Sequence, residues 1–348
     1  MTKRQRVLAA LQHRQPDQIP KGETWIDARL ANRIMNTDYP LEYQSFERDK
    51  AIRDYLEMDL INVGDWPQQQ IGISKRGNPI YRSNYGYEFE QGESKHVIRP
   101  PVDEIEKAYQ YKKPDIANVD ASLVKRYVSE TELFVFAQIG GPVSMLDEMF
   151  AIEDYMVFCL TNTQEIAYIT EKVMEYEVEK AKLFIDAGCH GIFFADDIAF
   201  NTGTFLPPYI MHEIVYPFYR NAVKEIKGYK DLPIVFHSDG NLNTVLDDIV
   251  ACGFDGLQSI QPSAGMNIKS IKEKYGSDLC LWGNIDLDYI MSFAPPEEVK
   301  QNVKETIRIA GEGGGFILST CNTMIDSIPE ENVMAMMDAA TECSYRYK

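Results

Sequence analysis

The chain is short of positive charge, of paired cysteines and of long apolar runs, and each shortage removes a class of function. Lys and Arg number 35 against 53 Asp and Glu, a net charge of −18 with a pI near 4.8. No Lys/Arg-rich block interrupts this acidity. Such a surface repels a phosphate backbone, so nucleic acid is excluded as a partner. No run approaches the roughly 18 consecutive apolar residues that a membrane helix requires, so no membrane partner is expected. The N-terminal "MTKRQRV" is basic, but no apolar stretch follows it, and no signal peptide is expected. The six cysteines (159, 189, 252, 280, 321 and 343) form no CxxC pair and no disulfide framework. These features together predict a cytoplasmic protein with reduced thiols. Phosphate cradles are missing too. "AQIGGPVSM" (137–145) lacks the lysine of a phosphate loop, and "GEGGG" (311–315) precedes a strand instead of opening a helix.

What is present is a large apolar complement, 45% of 348 residues with 11% aromatic, enough for a sizeable core. Strand-like runs recur at 19–25, 59–65, 134–141, 191–197, 233–239, 256–261, 279–286 and 315–321. Most are nearly continuous apolar runs, as parallel strands buried on both faces should be. Helical patterns lie between them, among them 163–188 and 296–314, each ending in glycine. A short amphipathic helix, Lys3–His13, precedes them all. Eight strands alternating with helices predict a (β/α)8 TIM barrel, α/β in class, as a single domain over 1–348. The segment 78–100, after the second strand, has the alternation and turn residues of a β-hairpin insertion.

Barrels of this kind carry their chemistry at the C-terminal strand ends. Those positions here are Glu23 and Asp27, Asp65, Gln138, Asp196 and Asp197, His237 and Asp239, Gln258 and Gln261, Asn284 and Asp286, then Cys321 and Asn322. His237 and Asp239 stand at i and i+2, so both leave the same face of their strand. Metal ligands must converge to about 2.0–2.3 Å of one point, and Cys321 could approach from another side of the mouth. His, Asp and Cys would leave zinc one open position. The same residues also read as a strand-end histidine, a turn-capping aspartate and a small buried filler. Asp196 and Asp197 are neighbours on a strand, so only one can readily enter the mouth. They are either an acid/base pair or a loop-capping pair.

The stretches "VLAALQHRQPDQIP", "IGGPVSM", "DDIAFNTGTFLPPYIMHEIVYPFYRNAV", "VFHSDGNLNTVLDDIVACGFDGLQS", "LCLWGNIDLDYI" and "GGFILSTCNTMIDSIPEENVMAMM" resemble the uroporphyrinogen decarboxylase superfamily along nearly the whole chain. That superfamily holds cofactor-free decarboxylation of a tetrapyrrole and zinc-dependent methyl transfer involving a corrinoid (cobalamin) protein. The decarboxylase branch carries Arg-Gln-Ala-Gly-Arg after its first strand. Here the stretch reads "WIDARLANRIM", with Arg29 and Arg33 but with Asp27 added. The methyltransferase branch holds zinc through His-x-Cys at the fifth strand and Cys at the eighth. His237 and Cys321 match these positions, with Asp239 replacing the first cysteine.

The resemblance therefore implies a zinc site of His237, Asp239 and Cys321. It leaves Asp197 and Asp65 as acid/base or positioning groups, and Glu23, Gln138, Gln258, Gln261 and Asn284 as substrate-binding groups. The methyl donor or acceptor is expected to be a small molecule. The chain has no Asp-x-His-x-x-Gly, so a partner protein would supply the methylcorrinoid. A tetrapyrrole decarboxylase and a non-catalytic binding barrel are the alternatives. Transfer direction and oligomeric state stay open, a homodimer included.

Overall fold

The computed structural model describes residues 1–92 and 95–344. Its strands are β1 (Leu60–Val63), β2 (Gln68–Ile73), β3 (Pro79–Ser83), β4 (Glu88–Gln91), β5 (Lys95–Arg99), β6 (Phe134–Gly140) and β7 (Gly191–Ala195). They continue as β8 (Ala199–Phe200), β9 (Gly203–Thr204), β10 (Ile234–Ser238), β11 (Gly256–Ser259), β12 (Cys280–Ile285) and β13 (Phe316–Thr320). Seven of them form one parallel, curled sheet in the order β1-β6-β7-β10-β11-β12-β13, with helices between successive strands. The edges of this sheet approach a common segment. Leu318 N donates to Pro20 O at 2.9 Å and Gly22 N to Leu318 O at 3.0 Å, while Asp59 N donates to Lys21 O at 2.7 Å.

Strand periodicity explains how the sheet is filled. Leu60, Phe134, Phe136, Phe193, Val235, Trp282 and Ile317 pack together on one face, and Val7, Ala10 and Leu11 of the first helix (Lys3–Leu11) pack into the same cluster. The alternate residues Ile61, Val135, Ile192, Phe194, Ile234 and Phe236 belong to the cluster that packs against the surrounding helices. Two residues further along the first face, the side chains change character. Leu60 is followed by Asn62, Phe136 by Gln138, Val235 by His237, and Trp282 by Asn284. A dry floor thus gives way to a polar mouth, and parallel pairing keeps the change at one level. His237 lies opposite Ala195 of β7 and Gln258 of β11.

The excursion after the second predicted strand is larger than a hairpin. It is a four-stranded antiparallel sheet in the order β2-β3-β4-β5, and it begins at Gln68, ten residues before the predicted boundary. Glu93 and Ser94 of the predicted 78–100 excursion lie outside the described residues, as do 345–348 of the predicted 1–348 domain. The sequence gives no alternation signal for β2 because "QQQIGI" is solvent-facing almost throughout. A buried junction fixes the sheet to the parallel sheet. The Tyr85 hydroxyl donates to Glu177, whose other oxygen accepts from Gly140 N at 2.7 Å. Glu177 and Lys180, both fully buried, pair at 2.8 Å.

Among the described residues, no helix is long and apolar enough to cross a membrane. All six cysteines are buried.

Candidate active site

A cleft of about 980 Å³ opens at the C-terminal ends of the parallel strands. Tyr81 and Ser83 of β3 and Tyr85 and Tyr87 of the turn after it wall one side. Five carboxylates line the cleft: Asp65, Glu148, Asp196, Asp197 and Asp239. Among the described residues its single lysine, Lys95, is neutralised by Glu148 at 2.7 Å, and no arginine lines it.

At the cleft floor stand Asp197, His237 and Asp239, each able to offer one ligand atom with all three atoms within 4.8 Å of one another. His237 leaves β10 toward the mouth, its ring stacked on Phe193 with centroids 5.3 Å apart. Its Nδ1 pairs with Oε1 of the fully buried Gln258. An amide oxygen can only accept, so Nδ1 is the donor in this contact, and in the neutral imidazole the lone pair then lies on Nε2. Nε2 lies 3.7 Å from Asp197 Oδ1. Asp239 is held from two sides, accepting from Ser259 Oγ at 2.7 Å and from the Asn322 amide. Burial pushes its carboxyl above the ordinary range, while His237 opposes the shift and Asp197 adds to it. Asp197 Oδ1 also accepts from Asp239 N at 2.8 Å, which locks the two acids into one turn-to-turn contact.

Asp196, adjacent in sequence, has a different task. It is fully buried and accepts from Ser144 N at 2.6 Å, Val143 N at 3.3 Å and the Tyr219 hydroxyl, capping the helix Pro142–Phe150. Burial drives its pKa up to about 7 despite these donors. Just past the end of β7, one neighbour joins the group of three and the other caps a helix.

The remaining sequence-derived residues divide. Asp65 lines the cleft, is raised by burial, and accepts from Asp120 N at 2.7 Å. Gln138 lines it as well, its Oε1 accepting from Asn62 Nδ2 at 2.5 Å. Gln258 stands behind His237. Three others serve the framework. Glu23 is fully buried and accepts from Thr320 N at 2.9 Å and Thr320 Oγ1 at 2.6 Å. Gln261 accepts from Gly240 N at 2.9 Å and donates to Ser263 Oγ at 2.9 Å. The buried Asn284 donates to Ile260 O at 3.3 Å. Asp27 caps the helix Ala28–Met35, and Arg33 is held by Asp326 at 2.5 Å and Glu330 at 3.0 Å.

Cys321 lies outside the three-residue group, which Asp197 completes. Its main chain bonds to Ile285 O at 2.9 Å and its side chain is buried, so the next residue, Asn322, reaches Asp239 instead. Burial pushes the Cys321 thiol up to about 12, and nearby Asp239 adds to the effect. Sequence reasoning gave no role to Asn322 and overlooked Ser259 and the tyrosine wall. The alternation of "YRSNYGY" (81–87) was the available signal for the wall.

A model of the family "Uroporphyrinogen decarboxylase (URO-D)" matches residues 83–343. A Methylcobamide:CoM methyltransferase MtaA of Methanosarcina barkeri is 25% identical over 208 residues, 60% of this chain and 58% of its own length. The chain therefore spans somewhat under two thirds of that relative. A uroporphyrinogen decarboxylase of Pseudoalteromonas atlantica is 24% identical over 287 residues, covering 75% of each chain. Among solved structures, a methyltransferase from Methanosarcina mazei superposes with a TM-score of 0.77 at 20% identity, covering 98% of this chain and 99% of its own.

Proposed function

The chain belongs to the uroporphyrinogen decarboxylase family, and from that premise we propose that it moves a methyl group between a small substrate and a corrinoid carried by a partner protein, with zinc held by Asp197, His237 and Asp239. The same reading takes the curled sheet as a single-domain (β/α)8 barrel, with the cleft as its mouth. The observation that carries it is the convergence of one imidazole and two carboxylates within 4.8 Å at that mouth. The donor set suits the ion. Zinc accepts imidazole nitrogen and carboxylate oxygen, and a free Nε2 backed by a Nδ1–H hydrogen bond is the tautomer a metal requires. The methyltransferase relatives favour this activity over the decarboxylase within the same family.

Bound there, zinc would supply Lewis acidity to the sulfur or oxygen of the small substrate. The chain's own residues do the rest. Gln258 fixes the His237 tautomer, while Ser259 and Asn322 hold Asp239 in position. Gln138 orients the substrate, and Asp65 positions it or exchanges a proton. The tyrosine wall limits water around the reacting atoms. Five carboxylates among the described lining residues disfavour a substrate bearing many carboxylates, and Arg33, one of the two arginines in the stretch matched to the decarboxylases, is already occupied. Both facts weigh against tetrapyrrole decarboxylation.

The test is zinc quantitation together with a transfer assay. Wild type should hold zinc stoichiometrically, and Asp239→Ala and Asp197→Ala should each lose it. Wild type should also exchange methyl groups between a corrinoid protein and at least one member of a panel of thiols, methyl ethers and methylamines. A wild type that neither retains zinc nor supports transfer to or from any panel member defeats the reading.

A further inference from the structure

Three side chains on different elements share an unmet requirement. Arg53 Nε on the helix Phe46–Tyr55, Asn62 Oδ1 on β1 and the Tyr127 hydroxyl on the helix Ser122–Glu130 are buried without a hydrogen-bond partner among the described residues. Their residues are 2%, 1% and 1% exposed. All three line one cavity of about 10 Å³, shared with Trp25, Tyr43 and Asp49. Buried polar atoms are seldom left unpaired, because each then forfeits its hydration with nothing in return. A cavity of roughly 10–15 Å³ takes one water molecule, which typically makes about three hydrogen bonds.

We infer that this cavity is a binding site for a single water, and that the water fixes which end of the Gln138 amide faces the cleft. The direction follows from the donor inventory. A guanidinium Nε–H only donates, so the water accepts from Arg53 and turns a hydrogen toward Asn62 Oδ1. Tyr127 completes the set as either donor or acceptor. With its oxygen turned to the water, the planar Asn62 amide presents its N–H to Gln138, which agrees with the 2.5 Å contact from Asn62 Nδ2 to Gln138 Oε1. The Gln138 carbonyl is then turned to Asn62, and its NH2 group is turned to the cleft. Gln138 is thereby a fixed hydrogen-bond donor that reads an acceptor atom on whatever binds there. A free glutamine would present either end. Asn62 acts through Gln138 and is a positioning residue.

The inference rests on the cleft being the ligand site, but its test does not depend on methyl transfer. Neutron diffraction from deuterium-exchanged crystals of the full chain separates amide oxygen from nitrogen. The expected result is one D2O bonded to Arg53, Asn62 and Tyr127, with the Gln138 deuterons facing the cleft. In Asn62→Asp the amide should invert, because a carboxylate accepts and draws Gln138 Nε2 toward itself. In Tyr127→Phe the water should stay on two partners, and the Gln138 amide should keep its wild-type direction. A cavity without water in the wild type, or a Gln138 oxygen facing the cleft there, overturns the inference. So does a Gln138 amide that keeps its direction in a folded Asn62→Asp protein. Absence of methyl transfer alongside the expected amide orientation would instead count against the proposed activity alone.

Discussion

Replacing Gln258 by Met should weaken zinc binding without weakening the fold, and the two effects can be measured separately. Gln258 is fully buried, its Oε1 is engaged by His237 Nδ1, and its Nε2 has no partner among the described residues. The amide is therefore poorly satisfied as a structural group, and its one polar contact is the imidazole. Methionine has nearly the same shape and no amide to desolvate. Losing the imidazole hydrogen bond costs about 1 kcal/mol, while removing an unpartnered buried N–H returns about 1–3 kcal/mol. The apo protein should thus range from unchanged to about 2 kcal/mol more stable than wild type. Zinc affinity behaves differently. A partner that orients a ligating histidine is worth roughly 10–100-fold in metal affinity, or about 1.4–2.7 kcal/mol. Competition against a chromophoric chelator gives the zinc Kd, and urea denaturation of the apo protein gives the stability. An unchanged Kd in a folded Gln258→Met protein would refute the assignment of His237 as a zinc ligand through Nε2. A large loss of apo stability would refute the claim that Gln258 serves the metal more than the core.

Other consequences concern the thiol, the buried acids and the inserted sheet. Because the Cys321 sulfur lies outside the group of three, Cys321→Ser should retain stoichiometric zinc, and the cobalt-substituted wild type should show no thiolate charge-transfer band. A thiolate band lost in Cys321→Ser would return the cysteine to the ligand set. Glu23 is raised by burial from 4.5 to about 7, so the folded state binds more protons than the unfolded state between these values. Stability from this group falls as pH rises through that window, by at most about 3 kcal/mol. Thermal denaturation at pH 5 and 8 should accordingly show Glu23→Gln gaining on wild type at the higher pH. Glu177→Leu strands the buried Lys180 and releases Tyr85 and Gly140, and it should cost about 3–5 kcal/mol in chemical denaturation. Adding Lys180→Met should recover most of the loss, and failure to recover would mean that the pair is not the source of it.

The seven parallel strands of the large sheet were legible because they are buried on both faces and so most read as nearly continuous apolar runs. Their polar ends were legible for a related reason. A floor residue such as Val235 and a mouth residue such as His237 stand two positions apart on one strand face, so the change from apolar to polar is written locally. The antiparallel excursion was legible only in its later part. β2 is exposed and has no apolar face to betray it, whereas β3 and the turn after it present their tyrosines at every second position.

The strand period by itself predicted that His237 and Asp239 share a face and that Asp196 and Asp197 diverge, although the three acids stand just past the strand ends. It could not determine what faces them across the mouth. That Asp197 completes the group while Cys321 stays buried depends on where two different loops turn after β7 and β13. That Glu23, Gln261 and Asn284 spend their polar atoms on neighbouring strands and turns, while Gln138 and Asp65 keep theirs at the cleft, depends on which backbone groups lack partners once the sheet has curled. Alternation along one strand is a local property fixed by backbone geometry. Convergence between strands is set by register and loop path, and those exist only in the folded chain.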